Sequence, residues 1–462
     1  MKTWIEPVVA GAQVAASFYD TGLLMVVRNH YNRTIAASNI SEEDALQKGI
    51  SNFYITYNVI MGLTPILSSY ILAKIGDKIS SKIPICIPLA GYLVSRAFLL
   101  LVILLDWPIE VMFGSAALNG LTGWFTSYWA GVMAWASQCS SESRRSLRLI
   151  IIELVYGLAG FVGSLISGHI FINVYFTNHQ GAILAYCSTA CYALCVLYSI
   201  FVLRPPEKTE AEETNNEDKI IKGSQNDQMN SEQCSLLTEK STDVRVPDNQ
   251  SNMSPSKWML ITMFTSAIVF NVALTATEDV INVFVLKKPL SWGPVEVGYG
   301  YAATYMTYIT SFLGVFVLSK CLSDMSLIII GMLSFSSGIL IMGFVRWTYM
   351  YYIARAVMMF SLIPTPTIRS VISKHIQGSS YGKTFVALQL GIEVVGVASS
   401  AGFNKLYQYT LDWYSGICFI VFSVLGFFCI IPISMAACKL SSDAKDGRTL
   451  IPGQQTHGTT IN

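Results

Sequence analysis

RPPEKTEAEETNNEDKIIKGSQNDQMNSEQCSLLTEKSTDVRVPDNQSNMSPSK, residues 204–257, divides a chain of 462 residues into two halves of the same kind. The stretch holds 7 basic and 11 acidic side chains set among Asn, Ser and Gln, a composition that cannot bury a core, so it reads as a disordered linker. On either side the chain is greasy. Apolar runs of roughly 20 residues begin near Pro7, Phe53, Ile83, Glu110, Leu147 and Ala182 before the linker, and near Trp258, Val297, Met325, Tyr349, Phe385 and Trp413 after it. A helix of that length crosses about 30 Å of hydrocarbon and satisfies its own backbone hydrogen bonds. The expectation is an all-α membrane protein with twelve transmembrane helices in two six-helix bundles. Residues 1–203 form the first bundle, 204–257 a cytoplasmic linker, 258–437 the second bundle and 438–462 a cytoplasmic tail.

Composition agrees. Hydrophobic residues make up 52% of the chain and charged ones 13%, too little polar surface to coat a water-soluble globule. A net charge of +1 excludes a nucleic acid polymer as partner. The lipid bilayer is the first partner implied. The run from Pro7 is too long for a signal-peptide core and is read as the first span. No cysteine falls in an outside loop, so no structural disulfide is expected.

Twelve spans put both termini on one side. With the termini inside, 21 of the 30 Lys and Arg residues fall on cytoplasmic segments and 7 on external ones, leaving Arg96 and Arg355 within the membrane. The positive-inside rule fixes that orientation. The sequons at Asn32 and Asn39 then lie in the first outside loop as glycosylation sites, whereas those at Asn249 and Asn252 lie inside and stay bare. Basic short loops recur in both halves: residues 74–82 answer Lys320, and 144–148 answer 374–383. Gly157, Gly160, Ser164 and Gly168 gather near one face of the fifth span and allow close helix contact.

An ionisable side chain deep in a span costs about 2.5 to 3.5 kcal/mol on insertion scales and so needs a partner, a watery cavity or a task. Asp20, Arg96, Glu153, Arg355 and Glu393 are in that position. Asp20 and Arg96 both lie about 20 Å from the inner surface at helical rise, a match that would let them pair. Glu153 sits about 9 Å in, within Ile-Ile-Glu-Leu-Val, where a carboxyl can load a proton facing one side and release it facing the other. Arg355 and Glu393 differ in depth, roughly 21 Å against 12 Å, and are expected to face a cavity separately. Arg369 reads as an anchoring arginine at the inner end of the tenth span, and Glu278 and Asp279 as a solvated outer end of the seventh. No histidine falls at midplane. No Walker A sequence or zinc-binding spacing occurs, so neither a metal, a cofactor nor an enzymatic reaction is expected.

Several stretches carry a likeness to a known family: Trp4-Ile-Glu-Pro-Val-Val, Ser51-Asn-Phe-Tyr-Ile, Ala117-Leu-Asn-Gly-Leu, Leu158-Ala-Gly-Phe, Ile309-Thr-Ser-Phe-Leu-Gly-Val, Tyr352-Ile-Ala-Arg-Ala-Val-Met and Gly378-Ser-Ser-Tyr-Gly-Lys. Together they resemble the solute-carrier family of the proton-coupled folate transporter, within the major facilitator superfamily, over nearly the whole chain. The resemblance implies two halves rocking around a midplane site, and a secondary importer of an organic anion of the muropeptide, cyclic dinucleotide, antifolate or steroid-conjugate class. It also implies proton coupling through Glu153 and substrate contact through Arg369, in Pro366-Thr-Ile-Arg-Ser-Val-Ile-Ser-Lys. The substrate-binding set is then Arg369, Arg355, Arg96, Asp20 and Glu393. Leu274, Gln138 and Ser291 stand where the folate branch has a histidine, an aspartate and a cysteine, which argues against folate itself.

A non-transporting receptor or scaffold on the same fold is the alternative, since Ser80 and Ser81 replace motif residues of the loop after the second span. Plasma-membrane residence is expected. Glu232, Leu236 and Leu237 fit an acidic dileucine signal that a sorting adaptor would read, with an endolysosomal membrane as the alternative address.

Overall fold

The structure, a computed structural model, describes the backbone of residues 4–36, 42–80, 82–139, 142–173, 181–203, 257–375, 380–411 and 413–449. Among these residues the regular structure is entirely helical. The first half contains α1 (Glu6–Ala36), α2 (Glu42–Lys78), α3 (Ile83–Leu104), α4 (Val111–Leu121), α5 (Trp124–Gln138), α6 (Glu142–Asn173) and α7 (Ala182–Phe201). The second contains α8 (Lys257–Phe284), α9 (Pro294–Leu318), α10 (Asp324–Gly343), α11 (Thr348–Val357), α12 (Pro364–His375), α13 (Ser380–Thr410) and α14 (Ile417–Thr449). Eight of these helices are individually long and apolar enough to cross a membrane. The linker and sorting residues Glu232, Leu236 and Leu237 lie outside the described residues, as does Asn39.

The fourteen helices of the described residues make twelve crossings because the fourth crossing of each half is broken. In the first half α4 stops at Leu121, Gly123 takes φ +92° and Trp124 takes φ +42°, and α5 starts again from there. Only glycine adopts such angles freely, so Trp124 is held in a strained backbone by its surroundings. In the second half α11 tightens into a 3₁₀ turn at Met358–Phe360 and the chain re-enters helix at Pro364, a residue suited to a first helical turn. Broken helices at matching positions of two halves mark where carriers place their ligands.

Two boundaries differ from expectation. The first helix continues past the apolar run to Ala36, and the second begins at Glu42 rather than near Phe53. Both extend beyond the apolar runs, into segments with polar residues such as Asn29, Arg33 and Asp44. Asn32 is therefore exposed on a helical extension and not in a loop.

The halves meet along two seams. At the first, α6 packs on α9 through the glycines expected to allow close contact. A Cβ on Gly160 would stand 2.5 Å from the Tyr305 ring, and one on Gly298 would stand 2.6 Å from the Ser164 carbonyl oxygen. At the second, α2 packs on α13, with Gly62 against Val397. On the outer side polar contacts join the halves as well: Lys287 Nζ meets Asp44 Oδ1 at 2.9 Å, Arg28 donates to the Trp292 carbonyl at 2.6 Å, and Lys405 donates to Asn52 at 3.0 Å. His169 of α6 and Tyr299 of α9 hydrogen-bond at 2.9 Å. On the inner side of the first half Arg148 of α6 reaches Glu6 of α1 at 3.4 Å.

Candidate functional site

Two adjoining cavities, about 200 and 250 Å³, lie between the halves and share Asp20, Arg96 and Trp124 in their walls. The break between α4 and α5 presents Trp124 to them, so the strained residue faces the space the fold encloses. Tyrosines cover much of the remaining wall, contributed by α1, α2, α3, α5, α6, α7 and α9.

Arg96 is the central cation. It is 5% exposed, and its guanidinium carbon lies 3.9 Å from the ring centre of Tyr19, 4.8 Å from that of Tyr92 and 5.1 Å from that of Tyr192. Ring faces stabilise a desolvated cation by about 2 kcal/mol or more. They do not accept its N–H groups as a carboxylate would, and Nε and Nη1 have no hydrogen-bond partner. Buried charged donors left unmade are costly. The rings are themselves held: Tyr19 and Tyr57 hydrogen-bond through their hydroxyls at 3.0 Å.

Asp20 lines both cavities with Arg96, yet no ion pair joins the two. The expected pairing is thus replaced by a shared cavity, because the tyrosine rings wrap the guanidinium first. Arg355 does face a cavity, a separate one of about 610 Å³ that it lines with residues of α6 and α9, but it does not stand apart from other charges. Expected to face the cavity apart from other charges, it is 4% exposed and its fork closes on Glu278, with Nη1 to Oε1 at 2.7 Å and Nη2 to Oε2 at 2.9 Å, while Nε donates to the Tyr351 hydroxyl at 3.0 Å. Each of its three nitrogens is thus engaged, and its charge is met by the Glu278 carboxylate. Glu278 and Asp279 are accordingly not a solvated helix end: α8 runs on to Phe284, Glu278 holds Arg355, and Asp279 lines the cavity that contains Asp20 and Arg96.

Glu153 stands on α6 one turn inward of Gly157. Its side chain is exposed, forms no hydrogen bond among the described residues, and is not in the walls of the central cavities. Arg369 lies in α12 and Glu393 in α13, and both side chains fall outside the described residues.

Sequence reasoning missed the tyrosines and Asp279. A signal for the first was present: Tyr92 and Arg96, like Tyr351 and Arg355, are four residues apart, which places ring and guanidinium on one helix face.

The sequence profile of the Major Facilitator Superfamily matches residues 22–391. Solute carrier family 46 member 2 of Canis lupus familiaris is 47% identical, over 96% of this chain and 94% of that protein. The lysosomal proton-coupled steroid conjugate and bile acid symporter of Gallus gallus is 26% identical, over 92% of this chain and 87% of that protein. Among solved structures, the inward open conformation of the xylose transporter XylE from E. coli superposes with a TM-score of 0.63 at 11% identity, covering 92% of this chain and 94% of that one. A POT family transporter in complex with a thioalcohol conjugated peptide superposes with a TM-score of 0.61 at 12% identity, covering 94% and 96%. These relatives are carriers and not enzymes, and the chain belongs to the Major Facilitator Superfamily and, within it, to solute carrier family 46.

Proposed function

We propose that the protein imports an organic anion across the membrane together with protons, the anion being held at Arg96. One observation carries this reading: a buried guanidinium with two unpartnered nitrogens faces a cavity walled by aromatic rings. An anionic group would complete those donors, and the rings would stack a flat or apolar body beside it. The substrate classes under consideration are muropeptides, cyclic dinucleotides, antifolates and steroid conjugates. The steroid-conjugate class and proton coupling draw support from the printed function of the Gallus gallus relative. Arg369 and Glu393 remain candidate contacts, and Arg355 serves to fix α11 on α8.

Glu153 is the candidate carboxylate that releases the proton inward, standing toward the inner side of the α6–α9 seam. Its side chain lacks a partner among the described residues, which a group that must exchange protons with the inner water can accept. Residence at the plasma membrane is proposed, with an endolysosomal membrane as the other address. Surface biotinylation of the full chain, with and without Leu236 and Leu237, decides between them.

Proteoliposomes loaded at neutral pH test the transport reading. Labelled substrates from each class should accumulate faster as the external medium is made acidic, and E153Q should flatten that dependence. Binding without accumulation would favour a receptor on a carrier fold.

A further inference from the structure

Asp279 has no place in the anion site, yet it sits where the two halves close. Its carboxylate accepts from the Ser400 hydroxyl of α13, and Asn58 of α2 reaches the same hydroxyl at 3.5 Å, a long contact that brings in the first half. Eight residues further on, just past the end of α8 at Phe284, the chain reaches Lys287, which bonds Asp44 across the outer seam. Asp279 is therefore in the roof of the cavity, directly beneath the outer closure.

The charges around it are accounted for. On its own helix Glu278 is taken by Arg355, whose remaining contact is Tyr351. From α1 it shares the cavity with Tyr19 and Asp20, from α2 with Tyr54 and Tyr57, from α3 with Arg96 and from α9 with Tyr301. Arg96 is enclosed by its three rings. The nearer cation on the outer side, Lys287, is bound to Asp44. From α13 the acid Glu393 lies two turns inward of Ser400, and from α12 comes Arg369, both with side chains outside the described residues; α14 offers the thiols Cys418 and Cys429. Among the described residues no cation pairs with Asp279. Closing the roof over a carboxylate that has only neutral donors, the Ser400 hydroxyl and the Asn58 amide, and no counter-ion is costly, whereas closing it over a neutral carboxyl is not.

We infer that Asp279, with Ser400 and Asn58, is the outer proton-loading site, and that its protonation permits the outer gate to shut. The inference rests on the proton-coupled reading for its purpose, though not for its test. A proton bound from the external medium neutralises the carboxylate, α2 and α13 then draw together, and the proton travels with the closed cavity to the inner side. No bond other than the O–H bond of the carboxyl forms or breaks.

The test reads the gate itself. Asn282 lines the same cavity one turn outward of Asp279. The N282C protein in sealed vesicles is treated from outside with a membrane-impermeant thiol reagent over a range of external pH, against the parent chain without the added cysteine. Reactivity divided by the thiolate fraction at each pH should fall as pH falls, and in D279N, which keeps an acceptor for Ser400 but cannot ionise, this ratio should be low and flat. D279E should restore a pH-dependent profile. If D279N fails to reach the membrane, the D279E and S400A profiles are read in its place, and each should differ in midpoint from the parent. A D279N profile that follows the parent, or D279E and S400A profiles that coincide with it, would overturn the assignment, as would a parent whose reactivity ignores pH. Uptake in the same vesicles separates the two readings: a pH-gated roof without anion accumulation retains the gate and removes the transport proposal.

Discussion

At the scale of single residues the site is a contest for hydrogen bonds. Arg96 has two nitrogens without a partner because rings surround it, whereas every nitrogen of Arg355 has one, two of them on Glu278. The two arginines should therefore respond differently to mutation. R96A is expected to lower uptake efficiency about 30-fold or more, the equivalent of ~2 kcal/mol, with the protein still folded. R96K should recover little, since a lysine presents a point charge in place of a planar fork. Initial-rate uptake against substrate concentration checks both. Arg96 and Asp20 were legible in the sequence because an ionised side chain is conspicuous in an apolar run. Asp279 was not, because it lies a few residues from the end of α8, where the pattern does not distinguish the last turn in lipid from the first in water. The tyrosine wall was also hidden, since aromatic residues are spread through every span and only spacing separates those facing Arg96 from those facing lipid.

At the scale of helices, close approach and ion pairing do different jobs. The α6–α9 seam depends on glycine where backbone meets backbone, so G298A, pressing on the Ser164 carbonyl, should cost about 1–3 kcal/mol. Gly402 of α13 has open space around it, and G402A should change stability by no more than about 0.5 kcal/mol. The pair joining α8 to α11 is asymmetric. E278A strands a buried guanidinium and should cost about 3–5 kcal/mol, while R355A leaves a carboxylate that is 35% exposed and should cost less. Thermal unfolding of the purified protein in detergent checks all four variants. The spans themselves were legible from hydrophobic length, and most starts agree within a few residues. The breaks in the fourth and tenth crossings were not, because a helix can be interrupted by residues that leave its average hydropathy unchanged. Gly123 and Pro364 mark the sites only once the geometry is known.

At the scale of the whole molecule, two halves joined along α6–α9 and α2–α13 enclose a cavity whose outer side is bridged by polar contacts. Cysteines at positions 44 and 287, joined by a short bifunctional thiol reagent, should hold that side shut and stop uptake until the link is reduced. The division into halves could be read from the polar stretch and the twelve apolar runs, since both follow from the cost of placing polar side chains in lipid. The pairing of helices across the halves could not, because contact between helices in lipid depends on shape more than on hydrophobicity. Lys287 fastens the bridge from both ends, giving hydrogen bonds to Asp44 in the first half and to the Leu411 carbonyl in the second, each at 2.9 Å. A partly hydrated ammonium in that position competes with dissolved ions, whose screening distance shrinks from about 10 Å at 0.1 M to about 3 Å at 1 M. A dilute bathing medium should thus keep the carrier sealed for longer between openings than a saline one.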